Sequence, residues 1–385
     1  MDTSKTYRWK ILHELDDISH LSKSLIAKTS PSPFSSLAFL HLLDTSNSTG
    51  KDSGWQAHHF CLYENETPVA FIPCYLKQHS YGEYVFDHAW ANAYHQHGLA
   101  YYPKLLCAIP FTPVTTSKVL ISDNTSLSEK AILNHWLENN ESTFRQYSSL
   151  HALFLPAAST DEFSAQGFHE RLNVQFVFYN NEYQSFDDFL QSLKSRKRKS
   201  IKKERQALYA QGVSIKRFCR DQVSAKLIDD FYTCYQATYL KRSGHKGYLT
   251  RAFFEGLRTH MSDNIMINAA YKNDTLVGAA LFFFDEQSLF GRYWGALEEV
   301  SGLHFECCYY QGIEFTIEQN IKIFNPGTQG EHKILRGFTP TLCRSMHKIE
   351  HPGFNEAVAD FVARERPHML EYLENTQSLL PFKVE

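Results

Sequence analysis

Between Gly291 and Phe338 the chain gathers residue types that do chemistry. They are Gly291-Arg-Tyr-Trp-Gly295, then His304, Glu306 and Cys307-Cys308, then Gly327-Thr-Gln-Gly-Glu-His-Lys333 with Arg336 close behind. Glu331, His332 and Lys333 set a carboxylate, an imidazole and an ammonium in consecutive positions. An amine nucleophile must lose a proton as it attacks an acyl carbon, and Glu331 or His332 could accept it. Lys333 or Arg336 could hold a substrate carboxylate or phosphate. The glycines of Gly327-Thr-Gln-Gly330 suit a backbone cradle for an anion. The order of Lys and Ser/Thr that defines a P-loop is missing, and a plain turn after a strand explains the same glycines equally well.

Other chemistries fit less well. His304, Cys307 and Cys308 stand at i, i+3 and i+4, a spacing that could hold a metal with His332 as a fourth ligand. Cysteine is among the residues most often buried, so core packing is the reading taken and no metal is expected. No G-x-S-x-G elbow is present, which argues against a serine hydrolase. Arg196-Lys-Arg-Lys199 and Lys202-Lys-Glu-Arg205 could meet the phosphates of a nucleotide cofactor or a tRNA acceptor end. Phe189, Leu193 and Ile201 give that segment an apolar stripe, so a solvated cationic face is the plainer explanation.

The elements that must position these groups follow from length and pattern. At 385 residues the chain has room for two domains, placed at 1–165 and 166–385. A net charge of −3 gives no overall pull toward DNA or an anionic membrane. The eight cysteines form no C-x-x-C pair, so a zinc ribbon is not expected. Met1–Lys10 lacks an apolar leader core and no run is long enough to span a membrane, which suggests a cytoplasmic protein.

Ile11, Leu12, Leu15, Ile18 and Leu21 suggest a helix within residues 1–30, and Phe34–Leu43 a second. His59–Tyr63 and Val69–Leu76 read as a hairpin, with a further strand at Tyr81–Phe86. A helix over Ser126–Arg145 and a strand over His151–Leu155 complete this half. The second half reads as a strand at Val174–Tyr179, one long helix over Phe186–Ala210, a strand at Val213–Phe218, a helix over Lys226–Lys241, and a hairpin of Ile265–Tyr271 and Leu276–Phe284. Glu64-Asn-Glu-Thr67 and Lys272-Asn-Asp-Thr275 are similar turns. Gly82-Glu-Tyr84 and Gly291-Arg-Tyr293 follow at nearly the same offset. This pattern suggests a duplication, hence an α/β (α+β) fold of two similar halves, each a mixed sheet flanked by helices.

Several blocks carry a resemblance to a known family. They are Lys77-Gln-His-Ser-Tyr-Gly-Glu-Tyr-Val-Phe-Asp87, Tyr102-Pro-Lys-Leu105, Pro110-Phe-Thr-Pro113, Tyr248-Leu-Thr-Arg251, Gly291-Arg-Tyr-Trp-Gly-Ala296, Leu303-His-Phe-Glu-Cys-Cys-Tyr-Tyr310 and Gln329-Gly-Glu-His-Lys333. Through them the chain resembles the FemAB-like, peptidoglycan biosynthesis/recognition branch of the GNAT superfamily. The resemblance implies two tandem GNAT-like domains and an N-acyltransferase. The acceptor would be a small-molecule or peptide amine, and the donor acetyl-CoA, another acyl-CoA, or an aminoacyl-tRNA. Gln329–Gly337 is similar to the Lys-containing loop after the penultimate strand of those transferases. Their CoA loop reads Gln/Arg-x-x-Gly-x-Gly/Ala; here Arg292-Tyr-Trp-Gly295-Ala-Leu297 keeps the Arg and the first Gly and ends in Leu.

The resulting expectations are catalytic roles for Glu331, His332 and Lys333, and cofactor contacts from Arg292, Gly295, Gly327, Gln329 and Gly330. Tyr293 and Trp294 would line a channel, with His304 and Glu306 as its opposite wall and Arg336 on an anionic group. Lys77, His79, Tyr84, Asp87 and Trp90 would complete the acceptor pocket, with the site expected between the two halves. The competing class is a non-catalytic GNAT-like protein that only recognises a cell-wall-type or other small ligand.

Overall fold

The computed structural model describes residues 6–13, 32–328 and 330–383. Two compact units emerge from the backbone: unit 1 comprises Met1–Asn173 with Leu342–Leu370, and unit 2 comprises Val174–Thr341 with Glu371–Glu385.

In unit 1, Tyr7–Leu12, His59–Glu64, Thr67–Ile72 and Leu120–Ile121 form an antiparallel sheet. Ile11 and Leu12 therefore lie in a strand, opposite Phe60 and His59, and not in the expected helix. Cross-strand partners here override the local apolar period; Leu15, Ile18 and Leu21 lie outside the described residues. The expected hairpin is present, with Asn65 left-handed at φ 55° in its turn. A second run of strands holds, in spatial order, Trp55–Ala57, Cys74–Lys77, Lys104–Cys107, Ser149–Leu155 and the end of Thr339–Ile349. Lys104–Cys107 and Ser149–Leu155 are parallel, so the chain between them must cross over. The expected helix over 126–145 is broken there into Glu129–Asn139 and Glu141–Phe144 by the non-helical Asn140. Phe60, Ile72, Trp136 and Phe163 centre the core.

Residues 81–86 are not the expected strand. Gly82 (φ 80°) and Tyr84 (φ 61°) both take left-handed conformations that turn the chain, and a helix follows at His88–Gln96.

Unit 2 is an antiparallel meander of Val213–Cys219, Ile265–Lys272, Thr275–Phe284 and Ser288–Ala296. A helical crossover, Leu303–Glu318, then leads to Ile323–Asn325, parallel to Ser288–Phe290. Each unit thus follows antiparallel strands with one crossover to a parallel partner, as the duplicated hairpins suggested. The downstream landmark does not repeat: Gly82–Tyr84 lies in a turn, Gly291–Tyr293 in a strand.

The expected long helix is two helices, Phe186–Ser192 and Ser195–Tyr209. Leu193, fully buried, is extended and bridges to Phe382, while the Lys194 N–H donates to Pro381 O at 2.8 Å. A buried anchor and two strand-like bonds outcompete helical continuity. Among the described residues no helix is long and apolar enough to cross a membrane.

Candidate functional site

In unit 2 the parallel strands touch only briefly. Ser288, Leu289 and Phe290 pair with Ile323, Phe324 and Asn325, after which the two arms part. Just past that point Arg292 is the extra residue of a bulge: Gly291 faces Phe282, Tyr293 faces Leu281, and Arg292 falls between the two pairings. Such a bulge re-aims the side chain that it carries. The other arm continues into the short helix Glu331–Arg336, which bears Lys333.

Lys333 is only 2% exposed, and its Nζ donates to Gly327 O at 2.7 Å. Among the described residues no carboxylate lies within ion-pair distance of it. Burial, reinforced by the Arg292 guanidinium, pushes its pKa down to about 7. His304 is pushed down to about 4 by burial, then by His332, Arg242, Lys333 and Arg336. His332 is lowered by burial and by the charges of Arg336 and Lys333; its Nε2 lies 2.9 Å from Tyr309 Oη. Both imidazoles are therefore neutral at pH 7, and this neighbourhood holds more cationic than anionic groups. It suits an anion, beside two imidazoles in their neutral form. Trp294 packs edge-on to His304 at 5.6 Å.

Other expected residues have different work. Glu306 is 1% exposed and accepts from Arg205 Nε (2.9 Å) and Nη2 (2.7 Å), Tyr209 Oη (2.9 Å) and Gln311 Nε2 (2.8 Å). It anchors the crossover helix, where Glu306–Tyr310 winds as a π turn, a distortion frequent beside functional sites. Arg336 donates to Tyr310 Oη (2.9 Å), His332 O (2.9 Å) and Glu204 (2.7 Å), and stacks 3.6 Å from the centre of the Phe305 ring. It fixes the loop that bears Lys333. Glu331 is exposed and accepts from Tyr372 Oη at 2.8 Å. Tyr293 is buried against Tyr235 and Phe254 and does not line a channel. Cys307 and Cys308 are buried, their thiols held protonated by desolvation.

Arg292 and Gly295 do not form the expected CoA loop. Arg292–Ala296 is strand, not a loop at a helix start. A Cβ on Gly295 would come within 1.9 Å of Cys234 O, so this glycine lets helix Ala225–Ser243 pack on the sheet. The segment that does precede the crossover helix carries Glu298, paired with Lys272 at 2.6 Å, and Glu299, paired with Lys241. Gly327 (φ 105°) and Gly330 (φ 115°) are left-handed in the Lys333 loop; Gln329 lies outside the described residues.

Unit 1 holds a second polar constellation. Lys104, fully buried, donates to Asp87, to Glu83 at 2.8 Å and to Ser80 at 2.9 Å. Tyr101 Oη donates to Asp87 at 2.7 Å and lies 3.0 Å from His151 Nε2. His151 Nδ1 meets His347 Nδ1 at 2.8 Å, and His347 Nε2 meets Ser345 Oγ at 2.8 Å. Trp90 packs edge-on to His347 at 5.0 Å. Lys77, also fully buried, sits 3.9 Å from the centre of the Trp55 ring and donates to Tyr81 O. Burial pushes Glu83 up to about 7 against the pull of Lys104, and pushes Lys77 down to about 7. His79 accepts from the Tyr81 N–H at 3.2 Å.

Asp87 and Trp90 thus come together with Lys104, Tyr101, His151 and His347, none of which the sequence analysis assigned to a site, although Lys104 lies in the block Tyr102-Pro-Lys-Leu105. Lys104 is buried by its place in the strand Lys104–Cys107, between Cys74–Lys77 and Ser149–Leu155. The signal available was a histidine inside an otherwise apolar strand, Leu150-His-Ala-Leu-Phe154.

The sequence matches the FemAB-like family model, described as peptidoglycan biosynthesis/recognition, over residues 12–384. No curated protein matches it. The C-terminal domain of a putative lysylphosphatidylglycerol synthetase from Agrobacterium fabrum is similar in structure, with a TM-score of 0.54 at 8% identity, covering 91% of this chain and 96% of that one. L-PGS from Bacillus licheniformis gives 0.51 at 9% identity, covering 86% and 98%. A tandem GNAT protein from the clavulanic acid biosynthesis pathway gives 0.44 at 10% identity, covering 90% and 99%. At such identities the likeness is one of fold alone. The sequence match extends over nearly the whole chain: it belongs to the FemAB-like family of peptidoglycan biosynthesis and recognition proteins.

Proposed function

We propose that the chain is a Fem/GNAT-type N-acyltransferase, moving an acyl or aminoacyl group from an activated ester or thioester to an amine. One observation carries this reading: Lys333, a buried amine with no carboxylate at ion-pair distance among the described residues, stands where two parallel strands part. A buried charge costs several kcal/mol, on the order of 3–5, when it is left uncompensated. A bound anion would offset that cost at Lys333. Lys333 and Arg292 hold an anionic group of donor or acceptor. His332 takes the proton that the amine loses as the new C–N bond forms. Glu331, on the solvent side with Tyr372, is the weaker candidate for that step. Trp294 and His304 supply the wall.

The absence of the expected loop at Arg292–Gly295 favours an aminoacyl-tRNA over an acyl-CoA as donor. Among the described residues the exposed cations Lys194, Arg196, Lys199 and Lys203 are free of ion pairs, and they offer phosphate contacts. A non-catalytic binding protein is the second reading, favoured by the same missing pyrophosphate cradle. The test is to offer the full chain charged tRNA or acyl-CoA with a pool of cell-wall amine precursors, and to look for new amides by mass spectrometry. An amide formed by the native chain and not by Lys333→Met supports transfer. Binding of a precursor with no amide from either donor supports the second reading.

A further inference from the structure

Unit 1 carries a cleft on the face of its sheet opposite the network around Asp87. Strand Thr339–Ile349 runs between His169–Tyr179 and Ser149–Leu155. In its register Met346 lies opposite Ala152, His347 opposite His151 and Lys348 opposite Leu150. Side chains alternate across a strand, so Met346, Lys348, Ala152 and Leu150 share one face and the two histidines the other. The first face is apolar: Met346, Ala152 and Leu150 pack in one core with Trp136, Leu137 and Phe168. Lys348 is a cation on an otherwise hydrophobic surface.

Over Lys348 lies a cleft of about 480 Å³, with Leu137, Phe144, Leu150 and Phe168 as its apolar wall. The Lys348 ammonium is 5.7 Å from the centre of the Phe168 ring. Among the described residues it has neither a hydrogen bond nor an ion pair. Glu138, exposed on helix Glu129–Asn139, lines the same cleft, and its carboxylate likewise has neither. The half-buried Gln166 adds a side-chain amide without a partner among the described residues.

The remaining charges sit at the rim. Arg145 donates to Glu141 at 2.7 Å and lies 3.9 Å from Glu350, and all three are exposed. One guanidinium there serves two carboxylates, and Glu138 adds a third. The mouth is therefore negative and the floor, at Lys348, positive. A simple anion would meet the carboxylates of the mouth, and a simple amine would meet the Lys348 ammonium. A molecule that carries both charges complements both ends.

We propose that this cleft binds a zwitterionic α-amino acid with an apolar side chain. Its carboxylate takes the Lys348 ammonium and the Gln166 amide, its ammonium faces Glu138, and its side chain lies against Phe144 and Phe168. The cleft belongs wholly to unit 1 and Lys333 to unit 2. The amino-acid site is thus additional to the proposed transfer site and does not rest on that reading.

The experiment uses the full chain with ¹³C-labelled leucine methyl groups, at about pH 6.5, below the ordinary α-amino pKa. L-Leucine should shift the Leu137 and Leu150 methyl resonances saturably. L-Leucinamide, which lacks the carboxylate, and N-acetyl-L-leucine, which lacks the ammonium, should each bind about tenfold or more weakly. Lys348→Met should erase only the preference over leucinamide, and Glu138→Gln only the preference over N-acetylleucine. Lys348→Arg, which keeps the cation, should retain both. Unchanged methyl spectra without ligand check that each variant keeps the fold. If the Lys348 stem merely lies over Phe168 with its head in water, L-leucine gives no saturable shift and the proposal is overturned. Equal responses to all three compounds, or preferences that survive both substitutions, overturn it as well. Lys333→Met should leave the leucine response unchanged, and loss of the response in that variant would place the binding elsewhere. Transfer activity without a leucine response counts against this cleft alone; a leucine response without transfer activity counts against the transferase reading alone.

Discussion

Lys333 is the residue on which structure and proposed chemistry depend most. In the unfolded chain it keeps its proton up to its ordinary value of 10.5; in the fold it does so only up to about 7. Between these values folding expels a proton, so the contribution of Lys333 to stability is highest above pH 10.5 and is lost as pH falls to 7. Lys333→Met should therefore be as stable as the native chain at pH 6.5, or more stable by up to about 2 kcal/mol, while losing about 100-fold or more in transfer activity. Its advantage should shrink between pH 7 and 10.5 in urea melts. Lys104 should behave in the opposite way. It balances Glu83 and Asp87, so Lys104→Met leaves two buried carboxylates without their cation and should cost about 3–5 kcal/mol. The order Glu331-His332-Lys333 was enough to mark the loop. That only Lys333 of the three turns inward was not legible, because it depends on Arg336 pinning His332 O and on Tyr372 holding Glu331 at the surface.

At the level of elements, hairpins and their turns were legible because Asn65, Asn273 and Asp274 are residues that tolerate the left-handed backbone a tight turn needs. Segments whose form is set by distant partners were not. Leu193 leaves the helix for a bridge to Phe382, and residues 81–86 turn on Gly82 instead of extending. Gly295 reads as a phosphate glycine in the sequence, whereas the requirement in the fold is room for the Cys234 carbonyl. Gly295→Ala must displace backbone, and should destabilise by about 3 kcal/mol or more, measured by thermal unfolding. The basic helix Ser195–Tyr209 divides its cations: Arg205 is locked to Glu306 and Glu314, whereas Arg196, Lys199 and Lys203 face solvent. Replacing Lys199 and Lys203 by Glu should weaken tRNA binding and lower the salt slope by roughly 0.7–0.9 for each phosphate that is no longer neutralised. Arg205→Ala should instead lower stability, because Glu306 would remain buried without its guanidinium.

Over the whole molecule, the two similar hairpin turns, Glu64–Thr67 and Lys272–Thr275, were the repeated signal, whereas the matching offset to Gly82 and Gly291 was not a structural repeat. The interior of each unit was not readable, since a parallel pair joins strands far apart in sequence and buries what lies between. With a net charge of −3 the chain as a whole attracts no polyanion. Any donor carrying phosphates must find its local sites, and Lys333 with Arg292 is the one that matters to the proposed reaction. The most direct measurement is calorimetric titration of the native chain and of Lys333→Met with a stable amide analogue of the aminoacyl-tRNA 3′ end, and in parallel with acetyl-CoA. The proposed reading predicts that the native chain binds the aminoacyl analogue, that Lys333→Met weakens it about tenfold or more with the fold intact, and that acetyl-CoA binds neither. Unchanged affinity in Lys333→Met, or no affinity of the native chain for either donor, would contradict it.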